Sequence, residues 1–151
     1  METTKLDTTL VGVAGEYLVA GELSLRGYTA GITLRNSRGV DIVVSLPDGS
    51  KSFSIQVKTS SGKTKKWMLN KKAEETAAPN HFYVFVQLSR DPLQRPCFHV
   101  VPSKVVARHT RDTHAAWLKG TKSDGTQRKD SAMRNFRDFN DEFLEAWDLL
   151  K

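Results

Sequence analysis

The stretch from Val40 to Lys58 constrains the fold of this chain more than any other. Val40-Asp41-Ile42-Val43-Val44-Ser45-Leu46 alternates around one acid, Pro47-Asp48-Gly49-Ser50 carries turn chemistry, and Phe53-Ser54-Ile55-Gln56-Val57-Lys58 alternates again. Two antiparallel strands joined by a two-residue Asp48-Gly49 loop place Asp41 opposite Gln56, with Lys58 the diagonal neighbour on the same face. Val40, Ile42, Val44, Phe53, Ile55 and Val57 point the other way. A carboxylate and an amide oxygen are hard donors suited to magnesium or manganese, and a lysine beside them can orient an attacking water. The same alternation also describes any antiparallel pair with one wet face.

The length of 151 residues suits one domain, and 38% hydrophobic with 26% charged residues describes an ordinary globular chain. The net charge of +6 favours a polyanionic partner. A single cysteine, Cys97, excludes an internal disulfide and points to a reducing cytoplasm. No apolar run reaches the ~20 residues that span a bilayer, and the first residues lack a signal-peptide core, so no membrane association is expected.

Upstream, Thr8 to Arg26 reads as a helix capped by Asp7 or Thr8 and closed by Gly27. Its periodicity sets Leu10, Val13, Tyr17, Ala20, Gly21 and Leu25 on an apolar side, with Gly15, Glu22 and Arg26 on the wet side. Glu16 lies at the flank, where a carboxylate needs a partner or a path to water. The small residues Gly12, Gly15, Ala20 and Gly21 would let the helix approach a sheet and carry Glu16 toward the face of Asp41. A first strand is expected within Ala30 to Leu34, followed by Arg35 and Arg38, which suit phosphate contacts or simply solvate a turn.

Six lysines lie in the fifteen residues from Lys58 to Lys72. Lys63, Lys65 and Lys66 lead into Trp67, and this basic loop suits a nucleic-acid backbone with Trp67 stacking on a base; a solvated loop is the plainer reading. Asn70 caps a short helix to Ala78, His81 to Leu88 is an apolar run of strand length for the sheet interior, and Cys97 to Val101 is a further strand. Ser103 starts a helix to about His109, a helical turn follows over His114 to Lys119, and Asp138 to Lys151 has the spacing of a terminal amphipathic helix. Phe139, Phe143 and Trp147 on that helix serve the core or a homodimer interface. The histidines lack zinc-site spacing, Ser60-Ser61-Gly62-Lys63 lacks the glycine frame of a phosphate-binding loop, and no serine or cysteine nucleophile has a placed base.

With Gly15-Glu16 on a helix, Gly39-Val40-Asp41 on an acid strand and Ile55-Gln56-Val57-Lys58 on the next, the chain resembles the PD-(D/E)XK nuclease superfamily. Within it, the stretch from Gly12 to Ser61 looks most like archaeal Holliday-junction resolvases and their small nuclease relatives. The resemblance implies an α/β restriction-endonuclease-like fold, a central mixed sheet flanked by helices, and magnesium- or manganese-dependent cutting of DNA. It implies Asp41 as main metal ligand, the Gln56 amide oxygen and the Val57 carbonyl as further ligands, Glu16 holding the metal directly or through water, and Lys58 positioning the attacking water. Two positions depart from the pattern: valine at 40 replaces proline, and Gln56 replaces the usual acid, which removes one negative charge from the donor set. The expected function is a metal-dependent DNA endonuclease. The alternatives are a catalytically inactive nuclease-fold domain that binds nucleic acid or protein, and an enzyme acting on RNA.

Overall fold

The computed structural model describes residues 5–34 and 38–151. In chain order it contains α1 (Thr8–Leu25), β1 (Thr29–Ile32), β2 (Ile42–Ser45), β3 (Ser52–Ser60), β4 (Lys66–Asn70), a 3-10 turn (Lys71–Glu74), β5 (His81–Gln87), β6 (Cys97–Pro102), α2 (Ser103–Leu118), β7 (Met133–Arg137) and a 3-10 turn (Trp147–Leu149). Five strands form one mixed sheet in the order β1-β2-β3-β5-β6, in which only β3 and β5 run parallel. β4 and β7 form a separate antiparallel ribbon. The expected mixed sheet flanked by helices is therefore what forms.

The β2–β3 hairpin keeps the expected register, with Ile42 opposite Ile55 and Val44 opposite Phe53. Its loop is longer than the two residues expected. The Leu46 N–H donates to the Lys51 carbonyl at 3.0 Å, leaving Pro47 to Ser50 as a four-residue loop with Gly49 at φ 70°. Lengthening a symmetric loop from two residues to four leaves opposed pairs unchanged, so the faces of both strands survive the error.

One face of the sheet is closed by α1 and the C-terminal segment. Val19 and Leu23 of α1 pack with Ile42, Val44, Phe53, Ile55 and Val57, and Trp147 and Leu150 complete the cluster at the β6 side. The buried stripe of α1 is Val11, Gly15, Val19 and Leu23, on the side of the helix opposite the apolar side expected, and it includes Gly15, which the periodicity set on the wet side. Leu10 and Tyr17 are 59% and 67% exposed, and Leu25 is exposed too. Gly15 decides the phase: a Cβ there would stand 1.7 Å from the Thr59 hydroxyl oxygen, so only glycine lets the helix seat on β3.

The other face is covered over part of its area. Trp67 and Leu69 of β4, Phe136 of β7, Ala73 and Val106 pack on Tyr83, Phe85 and Val101. β5 is thus apolar on both faces, which is why it reads as a continuous hydrophobic run. Trp67 is 2% exposed, its indole N–H donates to the Val86 carbonyl at 2.9 Å, and its ring lies 5.2 Å from Phe85. This corrects its expected role as an exposed stacking residue: alternation along β4 turns Trp67 and Leu69 inward and Lys66, Met68 and Asn70 outward.

Two further expectations fail. α2 is continuous from Ser103 to Leu118 rather than two short pieces. The terminal helix does not form. Instead Asp138 is buried against His99, with its carboxylate 2.7 Å from Nδ1, and accepts the Glu142 and Phe143 N–H groups at 2.9 Å. The Phe143 carbonyl accepts from Val100 and the Glu145 N–H donates to Phe98, so this segment follows the edge of β6 as an irregular partner. Of the three aromatics expected on the helix, Trp147 is buried, Phe143 is half-buried and Phe139 is exposed.

Candidate active site

The site forms where β2 leaves β3. The ladder stops at Ile42 opposite Ile55. Asp41 then departs from strand pairing: its N–H donates to the Ile55 carbonyl at 2.8 Å, and its Oδ2 accepts the Val57 N–H at 2.7 Å. A side-chain oxygen thus replaces the backbone carbonyl that a longer β2 would have supplied, and the directly opposed Asp41–Gln56 pair is not formed. Thr33 fixes the approach from β1, donating its N–H to the Asp41 carbonyl at 2.9 Å and its hydroxyl to the Val40 carbonyl at 2.6 Å. Asp41 is therefore held on both backbone groups and on one carboxylate oxygen, half-buried, with a charge-assisted bond to Val57.

On either side of Val57, Gln56 and Lys58 are half-buried and line a cleft of about 570 Å³. Arg38 and Gly39 form one wall, and Asn70, Lys72, Ala73 and Thr76 form another, with Tyr83 beneath. Gly39 has φ 69°, the left-handed conformation that returns the chain into the acid strand. The lining carries three cations, Arg38, Lys58 and Lys72, and no carboxylate. Such a recess suits an anion.

The remaining expected residues divide. Glu16 is half-buried on α1, the helix that closes the opposite face, and is not among the residues lining the cleft. Arg35 lies outside the described residues. Lys63 and Lys66 are exposed. Lys65 is held by Asp141 in an ion pair at 2.5 Å, so its charge is matched within the chain.

His81 is the residue that sequence reasoning missed. It is 5% exposed, its Nδ1 is 2.7 Å from the Ser54 hydroxyl, and its Nε2 is buried with no hydrogen-bond partner among the described residues. Burial pushes its pKa below the usual histidine range, while the nearby Asp41 charge opposes the shift. The register of β3 with β5 puts His81 beside Ser54 and Tyr83 beside Gln56. That signal exists in the sequence only once the two strands are known to be neighbours. Tyr83 is likewise buried, which raises its phenol pKa, and Thr76 opposes that shift.

The donors available for a cation at this point are the Asp41 carboxylate, the Gln56 amide oxygen and the Val57 carbonyl, which points to the same strand edge as the N–H that Asp41 receives. All are oxygen, the chemistry of magnesium and manganese sites. Among the described residues no three His, Cys, Asp or Glu side chains cluster as a metal site, and this donor set carries one formal negative charge. No helix among the described residues is long and apolar enough to cross a membrane.

No protein-family model matches the chain, and no curated protein does. Solved structures do. A bacterial homing endonuclease aligns over 97% of this chain and 92% of its own, at 16% identity and a TM-score of 0.58. A Holliday junction resolvase from the archaeal hyperthermophile Archaeoglobus fulgidus aligns over 84% of each chain at 13% identity and a TM-score of 0.48. The chain has the restriction-endonuclease-like, PD-(D/E)XK-type fold.

Proposed function

We propose that this restriction-endonuclease-like chain is a metal-dependent DNA endonuclease that hydrolyses phosphodiester bonds. The observation that carries the reading is the Asp41 carboxylate bound to the Val57 N–H, at the strand position between Gln56 and Lys58, which both line a cationic cleft. A bound magnesium or manganese ion supplies charge neutralisation and lowers the pKa of a water molecule. Asp41, Gln56 and the Val57 carbonyl would hold it. Lys58 orients the attacking water and offsets charge on the phosphoryl oxygens as the leaving oxygen departs. Arg38 and Lys72 hold phosphates on either side of the reacting one.

One feature favours a second reading, a nucleic-acid-binding domain without catalysis: the acid expected beside Lys58 is Gln56, which leaves a single carboxylate in the donor set. The test is incubation with magnesium or manganese and labelled linear, single-stranded, flapped and four-way-junction DNA, with a matched RNA and a chelated control. Metal-dependent DNA cleavage lost in Asp41→Ala and Lys58→Ala supports the nuclease. Binding without cutting, unchanged in both variants, supports the second reading, and cleavage of the RNA alone reassigns the substrate.

A further inference from the structure

The β4–β7 ribbon presents an outer face that the chemistry above does not use. Alternation turns Trp67, Leu69, Arg134 and Phe136 inward and leaves Lys66, Met68, Met133, Asn135 and Arg137 on the outside. In the register Lys66 stands opposite Arg137 and Met68 opposite Asn135. Like charges directly opposed on one sheet face are destabilising. Neither Lys66 nor Arg137 has an ion pair among the described residues, although the adjacent Lys65 is matched by Asp141, and Arg134 by Glu74. The inner and flanking cations are neutralised within the chain and the outer pair is not, which is the arrangement an external polyanion would relieve.

Shape and chemistry narrow the polyanion. Lys66, Asn135 and Arg137 also line a cavity of about 250 Å³ with His114 and Trp117 of α2, so the ribbon is flanked by a recess rather than by a flat surface. Met68 and Met133 are 64% and 51% exposed, flexible apolar side chains between the cations and the cleft. A two-stranded ribbon fits the DNA major groove, where an amide can pair with adenine and apolar groups can meet the thymine methyl. β4 ends at Asn70, which lines the cleft, and Lys66 lies four residues back along the strand, about 13 Å away.

We propose that the outer face of the β4–β7 ribbon is a groove-reading element for duplex DNA. Lys66 and Arg137 grip phosphates, and Asn135 with Met68 and Met133 meets base edges. The position of the bases read, within about four base pairs of the cut, rests on the nuclease reading; the binding itself does not.

The test uses the full chain in a chelating buffer, with fluorescence anisotropy on a random-sequence duplex and a selection from a randomised pool. The double variant Lys66→Ala/Arg137→Ala weakens duplex binding at least tenfold and lowers the slope of log affinity against log salt by about two, whereas Lys51→Ala, at the distant β2–β3 turn, changes neither. Lys66→Arg keeps the affinity, because a phosphate contact needs only the charge. Asn135→Ala leaves affinity for the random duplex unchanged and erases preference at the selected positions. Duplex binding indifferent to the double variant, equal loss on single strands, preference for an RNA duplex, or no nucleic-acid binding would each overturn the proposal. Ribbon-dependent binding by a protein that never cuts sinks the nuclease reading alone, and cutting indifferent to the ribbon sinks this one alone.

Discussion

The two faces of the five-stranded sheet are made by the same strands, with alternate residues going to each, yet they have opposite fates. On the α1 face every residue of the hairpin core is apolar, and Val19 and Leu23 close over it. On the other face β5 is covered by the ribbon and α2, but β3 presents Ser54, Gln56 and Lys58, and cover gives way to the cleft. Packing alone would favour two apolar faces, since each buried aliphatic side chain contributes about 1.5–3 kcal/mol. A polar row left uncovered beside an anchored carboxylate is the arrangement on which the proposed site rests.

The comparison can be broken at its covered edge first. Trp67→Ala removes the largest side chain of the second cluster and its bond to Val86, and should cost about 3–5 kcal/mol in urea unfolding. Trp67→Phe should leave DNA affinity at the level of the unaltered protein; a loss of binding with an intact fold would restore a stacking role. On the closed face, Gly15→Val forces a side chain against Thr59 and should cost about 1–3 kcal/mol. Leu10→Ser, on the exposed side of the same helix, should change stability by less than about 0.5 kcal/mol. Equal costs for the two would contradict the observed phase of α1.

Two changes sharpen the open face. Gln56→Glu restores a second negative charge to the donor set, and should tighten magnesium binding by about tenfold in calorimetry; unchanged affinity would remove Gln56 from the metal site. The smallest effect is in pH. Burial lowers the pKa of His81 in the folded state below the unfolded value near 6.5, so the unfolded chain binds the extra proton first as pH falls. His109, lowered by burial and by Arg137, acts in the same direction. Stability is then full above about pH 6.5 and declines as pH falls below it. Melting temperatures measured from pH 7.5 to 5 should show a shallower decline in His81→Asn, and identical declines would exclude His81 from the effect.

What was legible in the sequence follows the same division. The hairpin register could be read because two strands of strict alternation fix their own faces, and the four-residue loop preserves parity. The phase of α1 could not, because that helix is apolar on nearly every side and its orientation is set by one glycine against Thr59, a contact visible only in three dimensions. The ribbon was hidden by charge: Lys66-Trp67-Met68-Leu69-Asn70 alternates as a strand should, but its lysines make it resemble a solvated loop, and its partner Met133–Arg137 lies far along the chain. The terminal segment carried helical spacing, yet the buried Asp138–His99 pair and the edge of β6 capture its backbone instead. Of the site, register placed Gln56 and Lys58 on one face, but the Asp41–Gln56 pairing it implied is replaced by the Asp41 carboxylate on the Val57 N–H, and His81 needed the β3–β5 neighbourhood that no local pattern reveals.

The central claim is that the open-face row performs the chemistry. Its most direct test is single-turnover cleavage of labelled DNA in magnesium by the unaltered protein and by Lys58→Ala, with Lys104→Ala on α2 as a charge control and melting curves for all three. The account predicts that Lys58→Ala folds and binds DNA but cuts at least about 10²-fold more slowly, with the control unaffected. Cleavage by Lys58→Ala at the rate of the unaltered protein would contradict it.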